Sequence, residues 1–162
     1  DINEFITCSS MPGEKIYSIS EYCQVINEGG IIDKITPITI ANKIKGYSME
    51  ALKGVEQIRS MKINNQELMY TLDDIEALGH LGHYYAAKIR AAVSLCLYDK
   101  TGDSRYQEDA TRLLKTVAIY WKRYSAKSKE MYKAQSLVRL CSYVDVQSFD
   151  KLALLDVYQA ME

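Results

Sequence analysis

Three side chains able to bind metal stand on one predicted helix face. Glu76, His80 and His83 fall at i, i+4 and i+7, and a histidine pair one turn apart can chelate a divalent ion. A second helix would have to supply further ligands, yet the sequence holds no other histidine and no Glu-x-x-His pattern. A polar stripe is the plainer reading, and neither metal nor cofactor is assigned. The second group is aromatic. Tyr84, Tyr85, Tyr120, Trp121 and Tyr124 can gather where two helices meet. Sugars stack on such rings through apolar C–H faces while polar rims take their hydroxyls, although rings at helical spacing are more simply core. Tyr120, Trp121 and Tyr124 are the residues assigned a weak sugar or partner contact. The third group is basic: Lys122, Arg123, Lys127, Lys129 and Lys133 follow Trp121. It suits phosphate or an acidic partner. The simpler account is a solvated helix end with cations at the negative end of the dipole.

No nucleophile with a base is recognisable. There is no GxSxG, P-loop, glycine-rich dinucleotide turn or HExxH. Glycoside hydrolysis needs two carboxyls held about 5–10 Å apart across a sugar ring. Asp73, Asp74, Asp103, Glu108 and Asp109 instead read as helix caps or polar faces. No catalytic residue is assigned, and the chain alone is expected to hydrolyse no glycoside.

These groups are positioned by one central helix, read from Thr71 to Tyr98. Thr71 and Asp74 resemble a capping box, and Asp73, Asp74 and Glu76 place negative charge in its first turn. Leu72, Ile75, Leu78, Ala86, Ile89, Val93 and Cys96 follow a helical period, and Leu81, Tyr84, Tyr85, Leu95 and Tyr98 widen the apolar surface. A helix apolar on more than one side packs among several others. Gly79 and Gly82 each cost about 1 kcal/mol relative to alanine, which predicts a close helix crossing there. The expected partner is the preceding helix, whose Ala41, Ser48 and Ala51 are small.

Residues 1–16 show no period and read as an irregular lead-in, and 17–162 as the helical domain. Ser18 and Glu21 start a short helix that Gly29-Gly30 ends. Thr36-Pro37 starts a long one that runs to about Met61, where Asn64-Asn65 breaks the pattern. Lys100 to Asp103 is a tight turn, and Asp103 or Ser104 caps a fourth helix with Tyr106, Ala110, Leu113, Leu114, Val117, Tyr120, Trp121 and Tyr124 inward. Residues 125–147 have no clear assignment. Ser148 is expected to cap a last helix with Phe149, Leu152, Leu155 and Tyr158 inward. The expected fold is all-α without a sheet: an up-and-down bundle of three long helices with a short helix at each end.

The 162 residues suffice for one domain with a real core. Net charge is −1, so no global basic field draws the chain to nucleic acid or membrane. No apolar run reaches the length of a helical membrane span. Cys8, Cys23, Cys96 and Cys141 lack CxxC spacing, which argues against a zinc knuckle and leaves their disulfide state open. Cys96 reads as a small buried hydrophobe. The chain begins with Asp1, so it is expected to be processed, trimmed or part of something longer.

Three stretches carry a resemblance: YSISEYCQVINEGG; TPITIANKIKGYSMEAL with the LGHYYAAKIRAA and YWKRY helices; and SYVDVQSFDKLALLDV. From about residue 17 onward the chain resembles a helical region at the C-terminal end of large secreted proteins of polysaccharide-degrading bacteria, described as glycoside hydrolases or carbohydrate-binding proteins. The resemblance implies a non-catalytic accessory domain that braces an upstream catalytic domain of the same polypeptide or mediates an interface. It also implies a polysaccharide as possible partner and a periplasmic or extracellular location. The catalytic residues would lie upstream, so none transfers to this chain. Two other classes stay open: a stand-alone helical scaffold for protein partners, and a small metal- or ligand-binding bundle enzyme.

Overall fold

Every long helix of this chain is laid against one other, the helix that carries the two inner glycines. The computed structural model describes residues 1–13, 15–133, 135–137 and 141–161. Helices α1 (Ile2–Thr7), α2 (Ile19–Asn27), α3 (Pro37–Ser60), α4 (Gln66–Thr101), α5 (Ser104–Met131) and α6 (Asp150–Gln159) follow in order. Helix α4 packs on α3, α5, α2 and α1, while α6 packs on α5. Residues 91–97 are buried without interruption, as a helix surrounded on several sides requires. The fold is an all-α bundle built on three long helices.

The helix starts follow capping chemistry. Ser18 and Glu21 form a reciprocal capping box. Thr36 accepts from the Thr39 N–H ahead of Pro37, and Asp103 caps α5. Gly102, at φ 68°, closes α4 in the left-handed region and donates its N–H to the Tyr98 carbonyl. Its freedom from a Cβ permits the tight reversal into α5.

Four expectations need correction. The central helix starts five residues before Thr71: Asn65 caps it by accepting from the Leu68 N–H. Thr71 lies inside the helix, its hydroxyl bonded to the Glu67 carbonyl at 3.0 Å. Helix α3 has already ended at Ser60, so Asn65, expected to break one helix, instead starts the next.

The lead-in is not irregular. An Asp1–Glu4 capping box starts α1, and Ile2 and Ile6 belong to the same core cluster as Leu114 and Val117. Residues 15–17 bond in parallel to Ile35, with Tyr17 N to Ile35 O at 3.0 Å and Ile35 N to Lys15 O at 2.9 Å.

The bundle also carries a small sheet. Beyond α5, β1 (Gln135–Leu137) and β2 (Cys141–Val144) pair antiparallel. They lie in the segment 125–147 that had no clear assignment, of which residues 134 and 138–140 fall outside the described residues. Its valines, leucines and tyrosine carry strand preference over too short a span to register as a period.

The last helix is rotated. Asp145 caps a 3-10 turn at Val146–Phe149, accepting from the Gln147 N–H at 3.1 Å, and Ser148 only bonds back to Asp145. Helix α6 then buries Ala153, Asp156 and Val157, not Phe149, Leu152, Leu155 and Tyr158. One buried acid decides this. Asp156 is 2% exposed; it accepts from the Ile2 N–H at 2.9 Å and from Lys88 Nζ at 2.8 Å. A carboxylate with such partners fixes the face that hydrophobicity alone would turn outward.

The glycine crossing is present, with α3 as the partner. A Cβ at Gly79 would stand 2.8 Å from the Leu52 side chain; one at Gly82 would overlap Ser48 Oγ and stand 3.3 Å from Ser48 Cβ and 3.6 Å from Ile44. Ser48 Oγ can rotate away, but Ile44 leaves no room for a longer side chain. Gly82→Leu should therefore lower stability by about 1–3 kcal/mol through overpacking, read as a lower urea midpoint. A second expectation concerns Lys88. Burial acts to lower its ammonium pKa, but hydrogen bonds to Asp156 and Tyr84 hold it above the ordinary lysine value. Its stabilising effect is thus complete below that value and lost as pH climbs past it. Lys88→Met should cost about 3–5 kcal/mol by leaving Asp156 buried and unpaired, and Lys88→Met with Asp156→Leu should recover much of the loss.

Candidate functional site

The predicted site residues sit where α4 and α5 run side by side, and the structure sends them in different directions. Glu76 belongs to a charge network that ties three helices together. Arg59 Nη2 of α3 lies 2.5 Å from Asp73 Oδ1 and 2.8 Å from Glu76 Oε2. Lys127 Nζ of α5 reaches the same two acids at 2.8 and 3.4 Å and Glu130 at 3.2 Å. Glu76 Oε2 has ion-pair distances without hydrogen-bond alignment. The hydrogen bond to Asp73 outweighs burial and raises the Lys127 pKa. The one lysine of the basic run that turns inward therefore neutralises acids of its own chain.

His83 turns away from Glu76. It is 8% exposed and stacks on Tyr120, with ring centroids 4.7 Å apart and planes at 13°. His80 Nδ1 is buried without a hydrogen-bond partner. Among the described residues no three metal-binding side chains converge. Burial lowers both histidine pKa values, with neighbouring cations adding to the effect.

The aromatic residues form a chain of tilted contacts and no flat platform. Trp121 meets Tyr84 at 5.1 Å, Tyr124 at 5.4 Å and Phe149 at 6.5 Å. Its indole N–H is buried without a partner. Tyr120, Trp121 and Tyr124 are all half-buried, and they open on three different environments. Tyr124 lines a cleft of about 770 Å³ between α4, α5 and the 3-10 turn, with Asp74, Lys129, Tyr132, Lys133, Asp145 and Gln147 along its walls. Trp121 lines a smaller one of about 360 Å³ beside Tyr84, Lys88, Phe149 and Asp156. Tyr120 lines neither; it lies between His83 and the Arg123 guanidinium, 5.5 Å from its ring.

The larger cleft combines apolar walls with a few converging polar groups, as small-molecule sites do. Its mixed charge suits a neutral ligand rich in hydroxyls, and Tyr124 and Tyr132 offer ring surface. The Tyr132 hydroxyl donates to Asp74 across the cleft. Tyr132, Asp145 and Gln147 were not singled out in the sequence because they lie in the stretch without a periodic pattern. Lys88 did give a signal, a lysine inside the alanine-rich AAKIRAA run of the most apolar helix.

Profiles of protein families, curated proteins and solved structures were all compared with this chain, and none matches. No helix among the described residues is long and apolar enough to cross a membrane.

The two histidines set an acid limb. A histidine whose folded pKa is depressed takes up its proton more readily when unfolded, so stability falls as pH drops through about 6.5. His83→Phe keeps a ring against Tyr120 and should flatten part of that limb. Urea midpoints of both proteins between neutral and acid pH check this.

Proposed function

We propose that this chain is a non-catalytic helical accessory domain of a secreted carbohydrate-active enzyme, docked on a neighbouring domain of the same polypeptide. The reading takes its substrate class and its periplasmic or extracellular location from the sequence resemblance. Its interface rests on one observation, the outward face of α6. Leu154 is 51% exposed and Tyr158 65%, with Met161 60% exposed in the turn just beyond the helix, while the inward face holds Ala153, Asp156 and Val157. Single exposed apolar residues are ordinary, but a stripe of large ones on a helix that buries small ones signals a missing partner.

The neighbouring domain fits as that partner because of where Asp1 lies. It borders the smaller cleft together with Leu152 and Leu155 of α6. Any chain continuing upstream would emerge beside this helix, and tethering makes docking intramolecular. The non-catalytic reading is supported by how the acids are used among the described residues. Asp73 and Glu76 pair with Arg59 and Lys127, Asp109 with Arg112 and Ser94, Asp150 with Ser125, and Asp156 with Lys88. A weak sugar contact falls to Tyr124 and Trp121, which line clefts where Tyr120, the third ring assigned to it, does not.

The test is association of the separately produced neighbouring domain with this chain, by calorimetry. Leu154→Lys and Tyr158→Lys should each weaken it about tenfold or more, near 1.4 kcal/mol. A neighbouring domain that does not bind, or binding indifferent to both changes, would overturn the docking.

A further inference from the structure

Two of the four cysteines face each other inside the core, on helices that meet only through the fold. Cys23, on the inward side of α2 with Ile19 one turn before it, has no exposed surface; Cys96, deep in α4, is 5% exposed. The Cys23 sulfur lies 3.6 Å from the Val93 carbonyl oxygen. Val93 is one turn before Cys96, and a helical side chain leans back over the preceding turn. The Cys96 side chain is therefore directed toward the turn that the Cys23 sulfur touches. The Cys23 thiol donates to the Val93 carbonyl, and the two sulfurs lie close enough for each to shift the other's protonation.

From this placement we propose that Cys23 and Cys96 form a disulfide that joins α2 to α4 when the protein folds in an oxidising compartment. This goes beyond the accessory-domain reading and does not depend on it, because it rests only on where the two sulfurs sit. It also gives the secreted location a chemical consequence, since disulfides persist where the surroundings are oxidising.

Once the core has closed, the reduced pair is asymmetric. Interaction with the Cys96 sulfur, reinforced by burial, pushes the Cys23 thiol pKa upward. The same interaction lowers the Cys96 pKa against the effect of burial, with Lys100 helping. Before α2 docks neither shift is in place, and either thiolate can open the exchange; with Cys96 as the first, its thiolate is the attacking group. It attacks one sulfur of an oxidant disulfide, such as oxidised glutathione, forming a mixed disulfide and releasing one thiolate. Cys23 gives up its proton to solvent and attacks the Cys96 sulfur; the second thiolate leaves. Two protein thiols are oxidised, one oxidant disulfide is reduced to two thiols, and two protons pass to water and the leaving groups. The folded core shields both sulfurs, so exchange takes place before α2 closes on α4.

The bond would close a long loop that contains all of α3, the helix that crosses the two glycines. Cross-linking a loop of that length removes much of the freedom of the unfolded chain. Helix α2, short and with contacts mainly to α4, would gain the most.

The experiment refolds the full chain in a buffer of reduced and oxidised glutathione, quenches exchange with acid, unfolds the chain in urea, blocks free thiols with a maleimide, and maps peptides without reduction. The expected result is a Cys23–Cys96 peptide pair, two blocked thiols instead of four, and a urea midpoint that falls when reductant is added. Cys8 is exposed and should be blocked in every sample. Four blocked thiols, or a cross-link joining Cys23 or Cys96 to Cys8 or Cys141, would overturn the proposal. Repeating the mapping on a Cys8→Ser, Cys141→Ser chain removes competing pairings; Cys23 and Cys96 both blocked there would overturn it as well.

Discussion

The ion pair between Lys88 and Asp156 holds together parts of the chain that sequence keeps furthest apart. Its acid comes from the last helix and its base from the middle of the central one. The same carboxylate takes the Ile2 N–H at the start of the first helix. A carboxylate moved from water into a low-dielectric interior loses several kcal/mol of hydration, recovered only with well-placed partners. All of Asp156's partners come from other helices. The rotation of α6 follows directly: with Asp156 turned inward, Leu154 and Tyr158 must face out. The burial of one charge thus decides which apolar face α6 presents to a partner.

The second constraint is the close approach of α3 to α4. Two glycines remove the Cβ atoms that would keep the helices apart, and Leu52 and Ser48 fill the space. At one end of this contact Arg59 bridges to Asp73 and Glu76, and Lys127 completes the neutralisation from α5. The network is half-exposed, so it contributes orientation more than stability. Its cost to function is plain: Glu76, the acid best placed to join the histidines on a metal, is already occupied by two cations.

Helices α2, α3 and α5 were legible because each begins with a side-chain cap and continues with a clear period. The glycine crossing was legible because two costly residues one turn apart needed a reason. The small sheet, the first helix and the face of α6 were not. Six residues at Ile2–Thr7 are too few for a period. The sheet strands are three and four residues long. In α6 the pattern of leucines pointed to one face while Asp156 imposed another, and a tertiary ion pair has no local signature. The site fared similarly: Trp121 and Tyr124 do line clefts, but helical spacing could not reveal that Tyr120 turns toward His83 or that Tyr132 and Gln147 close the larger cleft.

The bond from the Ile2 N–H to Asp156 carries a topological consequence. The first and last helices touch, so a short flexible linker could join them without crossing the bundle. The tight turn at Gly102, exposed and between two long helices, is a natural place to open the chain instead. A circularly permuted form, with its ends in that turn, would keep the buried ion pair, the glycine crossing and every long helix intact. For the same reason the domain suits insertion within a loop of a larger protein, entering and leaving at neighbouring points on one surface.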